Sequence, residues 1–209
     1  MAADSLFEQL KHPNPHMRDR AMREIVDTRD EQTIPKLMSA LGEEDVVYRR
    51  ASVKTLGMIG MDSVPIVVEQ MLHSENDTVR ASCTKAMAQI AVKHPDKTFP
   101  PEGIEGLRKA MEDPYPVVQI ASVMSLGEIG TPALDTLLDA LKTTDNVAIA
   151  LTITNTLGSI GDSRAVEVLR ELIEDESIDS YVRETAQSAL PRLEQVMSLR
   201  EAKGSLRNS

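Results

Sequence analysis

Apolar and polar positions along the chain recur in a pattern about 31 residues long. Residues 45–60 read DVVYRRASVKTLGMIG and residues 115–130 read YPVVQIASVMSLGEIG. Within the first stretch Tyr48, Ser52, Leu56 and Ile59 fall at helical spacing, so one face is apolar or small. Arg18, Arg49 and Arg80 stand 31 apart, each behind a bulky apolar residue and four residues after Asn14, Asp45 and Asn76. Eight extra residues after Ala91 shift the frame. Beyond them Gln119, Ala150 and Arg183 take the arginine position, and Tyr115, Asn146 and Asp179 the capping position. A small-then-apolar pair also returns, as in Thr55-Leu56, Ser125-Leu126 and Thr156-Leu157, with Gly57, Gly127 and Gly158 directly after.

Each repeat reads as two helices, A and B. Helix B starts at the Asn/Asp, whose side chain can accept from an orphan N–H of the first turn. It ends at Gly60, Gly130 or Gly161, where a C-terminal cap calls for positive φ. Helix A precedes it in stretches such as TIPKLMSAL and ALDTLLDAL, with Pro35, Pro65 and Pro132 in or just before its first turn. Neither helix can bury its stripe alone, so neighbours must stack, and the predicted fold is all-α: an α-solenoid of about six short helix pairs. The expected organisation is a single domain over 1–197, with repeats near 3–28, 29–60, 61–91, 102–130, 131–161 and 162–195. A loop is expected at 92–101 and a flexible tail at 198–209.

Composition narrows the function. Aromatic residues are 2% of the chain and Trp is absent, so the stacking platforms of single-strand nucleic-acid binders are missing. The net charge of −10 repels a phosphate backbone. Lone Cys83 excludes an internal disulfide and a thiolate zinc cluster. No basic-then-apolar leader opens the sequence and no run of about 18 apolar residues occurs. The expectation is therefore a cytoplasmic protein without membrane insertion. Nucleotide-binding, metalloprotease and serine-hydrolase motifs are absent, so no catalytic set is assigned.

The recurring Asp/Asn-x-x-apolar-Arg-x-x-small-x-x-small-Leu-Gly-x-Ile-Gly, together with GDSRAVEVLRELIEDE at 161–176, resembles the short HEAT-like repeats of the phycobilin lyase family. The likeness covers about 190 residues. It implies one of three roles: a lyase subunit of the E/F type, a lyase-like chaperone or degradation factor, or a cyanobacterial HEAT-repeat protein that interacts with the iron–sulfur assembly factor IscA. The opening SLFEQLKHPNPHMRDRAM is most similar to the last group. The resemblance also implies that helix B lines a concave surface.

Candidate chemistry is then weighed side chain by side chain. Cys83, between Val79 and Ala86-Met87, reads as a small core residue rather than a reactive or bilin-linked thiol. His12 and His16 cannot share a helix face across Pro13 and Pro15, so they make no metal pair. Acids at the A-to-B turns suit helix N-termini. The Asp/Asn and Arg columns are expected to form a ladder between neighbouring repeats. The informative positions lie on the other side of helix B. There Arg50, Lys54 and Lys85 give way to Ile120, Met124, Leu151 and Asn155. Basic residues beside an apolar patch suit a binding face.

The leading expectation is a non-catalytic scaffold or chaperone. On this reading the concave face holds a phycobiliprotein subunit or an iron–sulfur assembly protein. The alternative is a bilin lyase subunit or bilin chaperone, with phycocyanobilin as ligand and Tyr48, Tyr115 and Tyr181 as candidate contacts. A homodimer through the fifth repeat is a third arrangement.

Overall fold

The computed structural model describes residues 2–207, with side chains from 5 to 202, and holds twelve α-helices and no strand among those residues. They pair as the pattern predicts. The A/B pairs are α1 (Ala2–Gln9) with α2 (Pro15–Asp27), α3 (Thr33–Ser39) with α4 (Val46–Ile59), and α5 (Val64–His73) with α6 (Asp77–Lys93). They continue as α7 (Pro101–Ala110) with α8 (Pro116–Ile129), α9 (Leu134–Thr143) with α10 (Val147–Ile160), and α11 (Arg164–Glu174) with α12 (Ser180–Arg207).

The caps form as expected. Asp45 accepts from the N–H groups of Val47 and Tyr48, Asn76 from Thr78 and Val79, and Asn146 from Ala148 and Ile149. In the fourth repeat, where Tyr115 stands at the capping position, Asp113 accepts from the Tyr115 N–H at 2.8 Å instead. Gly60, Gly130 and Gly161 have φ of 87°, 78° and 67°, and no other described residue has positive φ.

The arginine column does a different job from the expected ladder. Arg18 donates to the carbonyl of His12 at 2.6 Å, Arg49 to that of Glu43, and Arg80 to that of Ser74 at 2.9 Å. Each reaches back six residues to close the turn of its own repeat. Gln119 does the same to the Asp113 carbonyl at 2.7 Å, because its amide is also a donor. Among the described residues of this column, Arg80 alone also grips an acid of the next repeat, with Nε and Nη2 on Asp113 at 2.7 and 3.1 Å.

The chain divides into two compact units, Met1–Ser125 and Leu126–Ser209, where the sequence predicts one domain. In the N-terminal unit the fully buried residues include Leu10, Leu41, Leu56, Met87 and Leu107. In the C-terminal unit they include Leu134, Leu137, Ile153, Leu157 and Leu169. Each such side chain contributes about 1.5–3 kcal/mol through burial. Most buried hydroxyls bond helix carbonyls, which removes the cost of leaving them unpaired, while Ser52 Oγ is buried without a partner. Ser125 Oγ donates to the Ala121 carbonyl and, across to α6, to the Thr84 carbonyl, both at 2.7 Å.

Two boundaries differ from the expected ones. The loop expected at 92–101 contracts to 94–100, since α6 runs to Lys93 and α7 begins at Pro101. It is pinned at both ends: Phe99 is buried, and His94 Nε2 lies 3.1 Å from the Gly57 carbonyl oxygen. Residues 198–207, expected as a tail, continue α12 as helix, while 208–209 lie outside the described residues. Arg200 holds that extension by donating to the Gly161 carbonyl at 3.2 Å. No single helix among the described residues is long and apolar enough to cross a membrane.

Candidate binding face on the B helices

The N-terminal unit carries five of the seven row residues read from the sequence. Arg50 and Lys54, one turn apart on α4, are exposed, and so is Lys85 on α6. On α8 Met124 is 59% exposed and Ile120 half-buried. The packing that aligns these positions is in the backbone. Gly57 of α4 lies against Gln89 of α6, and Ser125 of α8 bonds Thr84 of α6. Lys85 and Met124 are the chain neighbours of that last contact, so they occupy adjacent places along the row.

Arg50, Lys54 and Lys85 form no ion pair among the described residues. Three unneutralised cations on a chain of net charge −10 concentrate positive potential on one face. Arg23 on α2 sits in a mixed-charge cluster with Asp19, Arg20, Glu24 and Asp27. Met124 adds an adaptable apolar contact, since a thioether side chain repacks easily against different partners.

Leu151 and Asn155 belong to the C-terminal unit and are less available than the sequence suggests. Leu151 is half-buried. Arg192 of α12 donates through Nη2 to the Asn155 carbonyl and Oδ1 at 2.7 and 2.8 Å. The uncharged stretch of α10 thus has a packing explanation, because α12 covers it. Sequence spacing carries no sign that Arg192 turns onto the neighbouring helix.

The three tyrosines differ in freedom. Tyr48 is half-buried with Lys11 Nζ 4.8 Å from its ring centroid, and burial pushes its phenol above the usual range. Tyr115 is exposed in the N-terminal unit, and Tyr181, 67% exposed, lies in the C-terminal unit. Cys83 is fully buried and its thiol is pushed up to about 12 by desolvation, so it is no nucleophile at neutral pH. No group of three or more His, Cys, Asp or Glu that could hold a metal occurs among the described residues.

The family model for HEAT repeats matches residues 3–88 and 104–191. The chain is 52% identical over 196 residues to the uncharacterized phycocyanin operon protein Z of Pseudanabaena tenuis, covering 94% of this chain and 97% of that protein. It is 27% identical over 168 residues to the bilin biosynthesis protein CpeZ of Synechococcus sp., covering 78% and 90%. Among solved structures it is similar to the complex of CpcE and CpcF of phycocyanin lyase from Nostoc sp., at 18% identity and a TM-score of 0.49 over 74% of this chain and 97% of that one.

Proposed function

This chain belongs to the HEAT-like repeat proteins of the phycobilin lyase family, and from that premise we propose that it is a non-catalytic scaffold in phycobiliprotein maturation. Its partner on this reading is a phycobiliprotein subunit, held on the row of Arg50, Lys54 and Lys85 with Met124 and Ile120 at its apolar end. The observation that supports this most is the set of exposed cations without ion pairs beside a Met that is 59% exposed. An iron–sulfur assembly factor is the poorer fit, since the names of both relatives refer to phycocyanin or bilins.

The test is capture of purified apo-phycocyanin subunits on the immobilised protein. Retention by the wild type and loss with Met124→Glu plus Lys85→Glu supports the reading. Equal retention by both overturns it.

A second reading, direct bilin binding, is favoured by one observation: Tyr115 and Tyr181 are exposed and free to stack. A linear tetrapyrrole carries two carboxylates on an apolar body and suits basic residues beside apolar ones. An absorbance titration with phycocyanobilin separates the two readings. A saturable spectral shift at micromolar concentration favours bilin binding, and no shift leaves the protein partner as the ligand of the row.

A further inference from the structure

A second surface of the N-terminal unit lies at the other edge of its B helices. Apart from Val92 at the end of α6 and Met124 on the basic row, the exposed large apolar side chains of this unit are not scattered. Met17 on α2, Val46 and Val47 on α4, and Tyr115 and Val117 at the start of α8 all sit in the first turn of a B helix or just before it. On α6, between them, the same place holds Asp77 and Thr78. Single exposed apolar residues are ordinary, but a run at one structural position across three helices is not accounted for by folding.

The charge of this edge is opposite to that of the basic row. Glu43, Glu44, Glu75 and Asp77 are exposed and form no ion pair among the described residues. Arg49 and Arg80 are half-buried and turned onto turn carbonyls, and Glu112 meets Arg108 at 3.7 Å. On α4 and α6 the edge is not an anion site either, because Asp45 and Asn76 already occupy free N–H groups of the first turns.

We propose that this edge docks a basic segment of a partner protein, with an apolar side chain on each side of a cationic stretch. Charge complementarity selects that occupant. A second copy docked edge to edge would meet like charge, and an acidic partner suited to the basic row would be repelled here. Packed helices stand about 8–10 Å apart, so the apolar places on α4 and α8 are separated across α6 by roughly 20 Å. An extended segment spans that with about six residues. The protein then offers two faces of opposite sign and can hold an acidic and a basic partner together.

The probe is a fluorescein-labelled peptide with two leucines six residues apart flanking lysines and arginines, compared with its glutamate counterpart by anisotropy on the full chain. The basic peptide is expected to bind saturably and the acidic one not to bind at this edge. Val46→Ser with Val47→Ser and Val117→Ser weakens the basic peptide at least tenfold while every acid stays in place, and Glu43→Lys with Glu44→Lys does likewise. Arg50→Glu with Lys54→Glu leaves it unchanged, so this test is independent of the basic row. Binding that the serine variant retains in full, or that Arg50→Glu with Lys54→Glu alters as much as the edge variants do, overturns the proposal. Circular dichroism of each variant confirms that the helices are intact.

Discussion

Gly57 lies so close to Gln89 that a Cβ built on it would stand 2.5 Å from the Gln89 Cβ and 3.1 Å from its carbonyl carbon. The same holds for Gly127 against Thr156 Cγ2 at 2.4 Å, and for Gly158 against Ala189 Cβ at 3.0 Å. The glycine of the recurring Leu-Gly pair is therefore where one B helix meets the next. In an exposed helix Gly→Ala would stabilise by about 1 kcal/mol through propensity. Here the contact includes backbone, so Gly57→Ala is expected to destabilise by about 1–3 kcal/mol in urea denaturation.

Gly130 gives the contrasting case. Nothing lies within 4 Å of its missing Cβ, but its φ is +78°. Its ψ of −139° puts it outside the left-handed helical region, so Gly130→Ala is expected to cost about 1–3 kcal/mol through backbone strain alone, with no repacking of the surrounding side chains in NMR spectra.

The Arg80–Asp113 pair joins two repeats with side chains only 13% and 8% exposed. Removing one partner leaves the other charge less well paired, so Asp113→Ala is expected to destabilise by about 1–3 kcal/mol, including loss of the turn hydrogen bond to the Tyr115 N–H. The exposed pair of Arg29 and Asp62, at 2.9 Å, is the control, and Asp62→Ala should cost below about 1 kcal/mol. Paired urea titrations measure both.

Two titrations follow from local environment. Arg164 holds the Asp162 carboxyl below the usual range by hydrogen bonding and charge. A depressed folded pKa stabilises above the unfolded value, and the contribution is lost as pH falls below about 4. Asp162→Asn should flatten the acid limb of a stability–pH profile there.

The Cys83 thiol has its folded pKa raised to about 12. Folding disfavours the thiolate, so stability is lost as pH rises past about 8.5, the free-thiol value. Native protein at pH 8 should not react with a thiol reagent and should react fully in urea. Cys83→Ala should remove that part of the alkaline loss.

The repeat frame was legible because stacking imposes the same stripe each time. Asp45, Asn76 and Asn146 cap the helices they were read to cap, and the three glycines turn where positive φ was expected. The arginine column was misread because spacing gives position and not direction: Arg18 and Arg49 bond carbonyls six residues back, which no periodicity reveals. On the row, Lys54, Lys85 and Met124 are as exposed as the pattern implied. Asn155 is taken by Arg192 from 37 residues away, a contact that depends on how two helices cross and leaves no local signature.

The most direct test of the central claim is the kinetics of binding to apo-phycocyanin subunits by surface plasmon resonance at several salt concentrations. The account predicts association that slows as salt rises. It also predicts affinity at least tenfold weaker for Arg50→Glu with Lys54→Glu and Lys85→Glu, with an intact helical spectrum. Affinity of that variant within twofold of wild type, with no salt dependence in either, would contradict it.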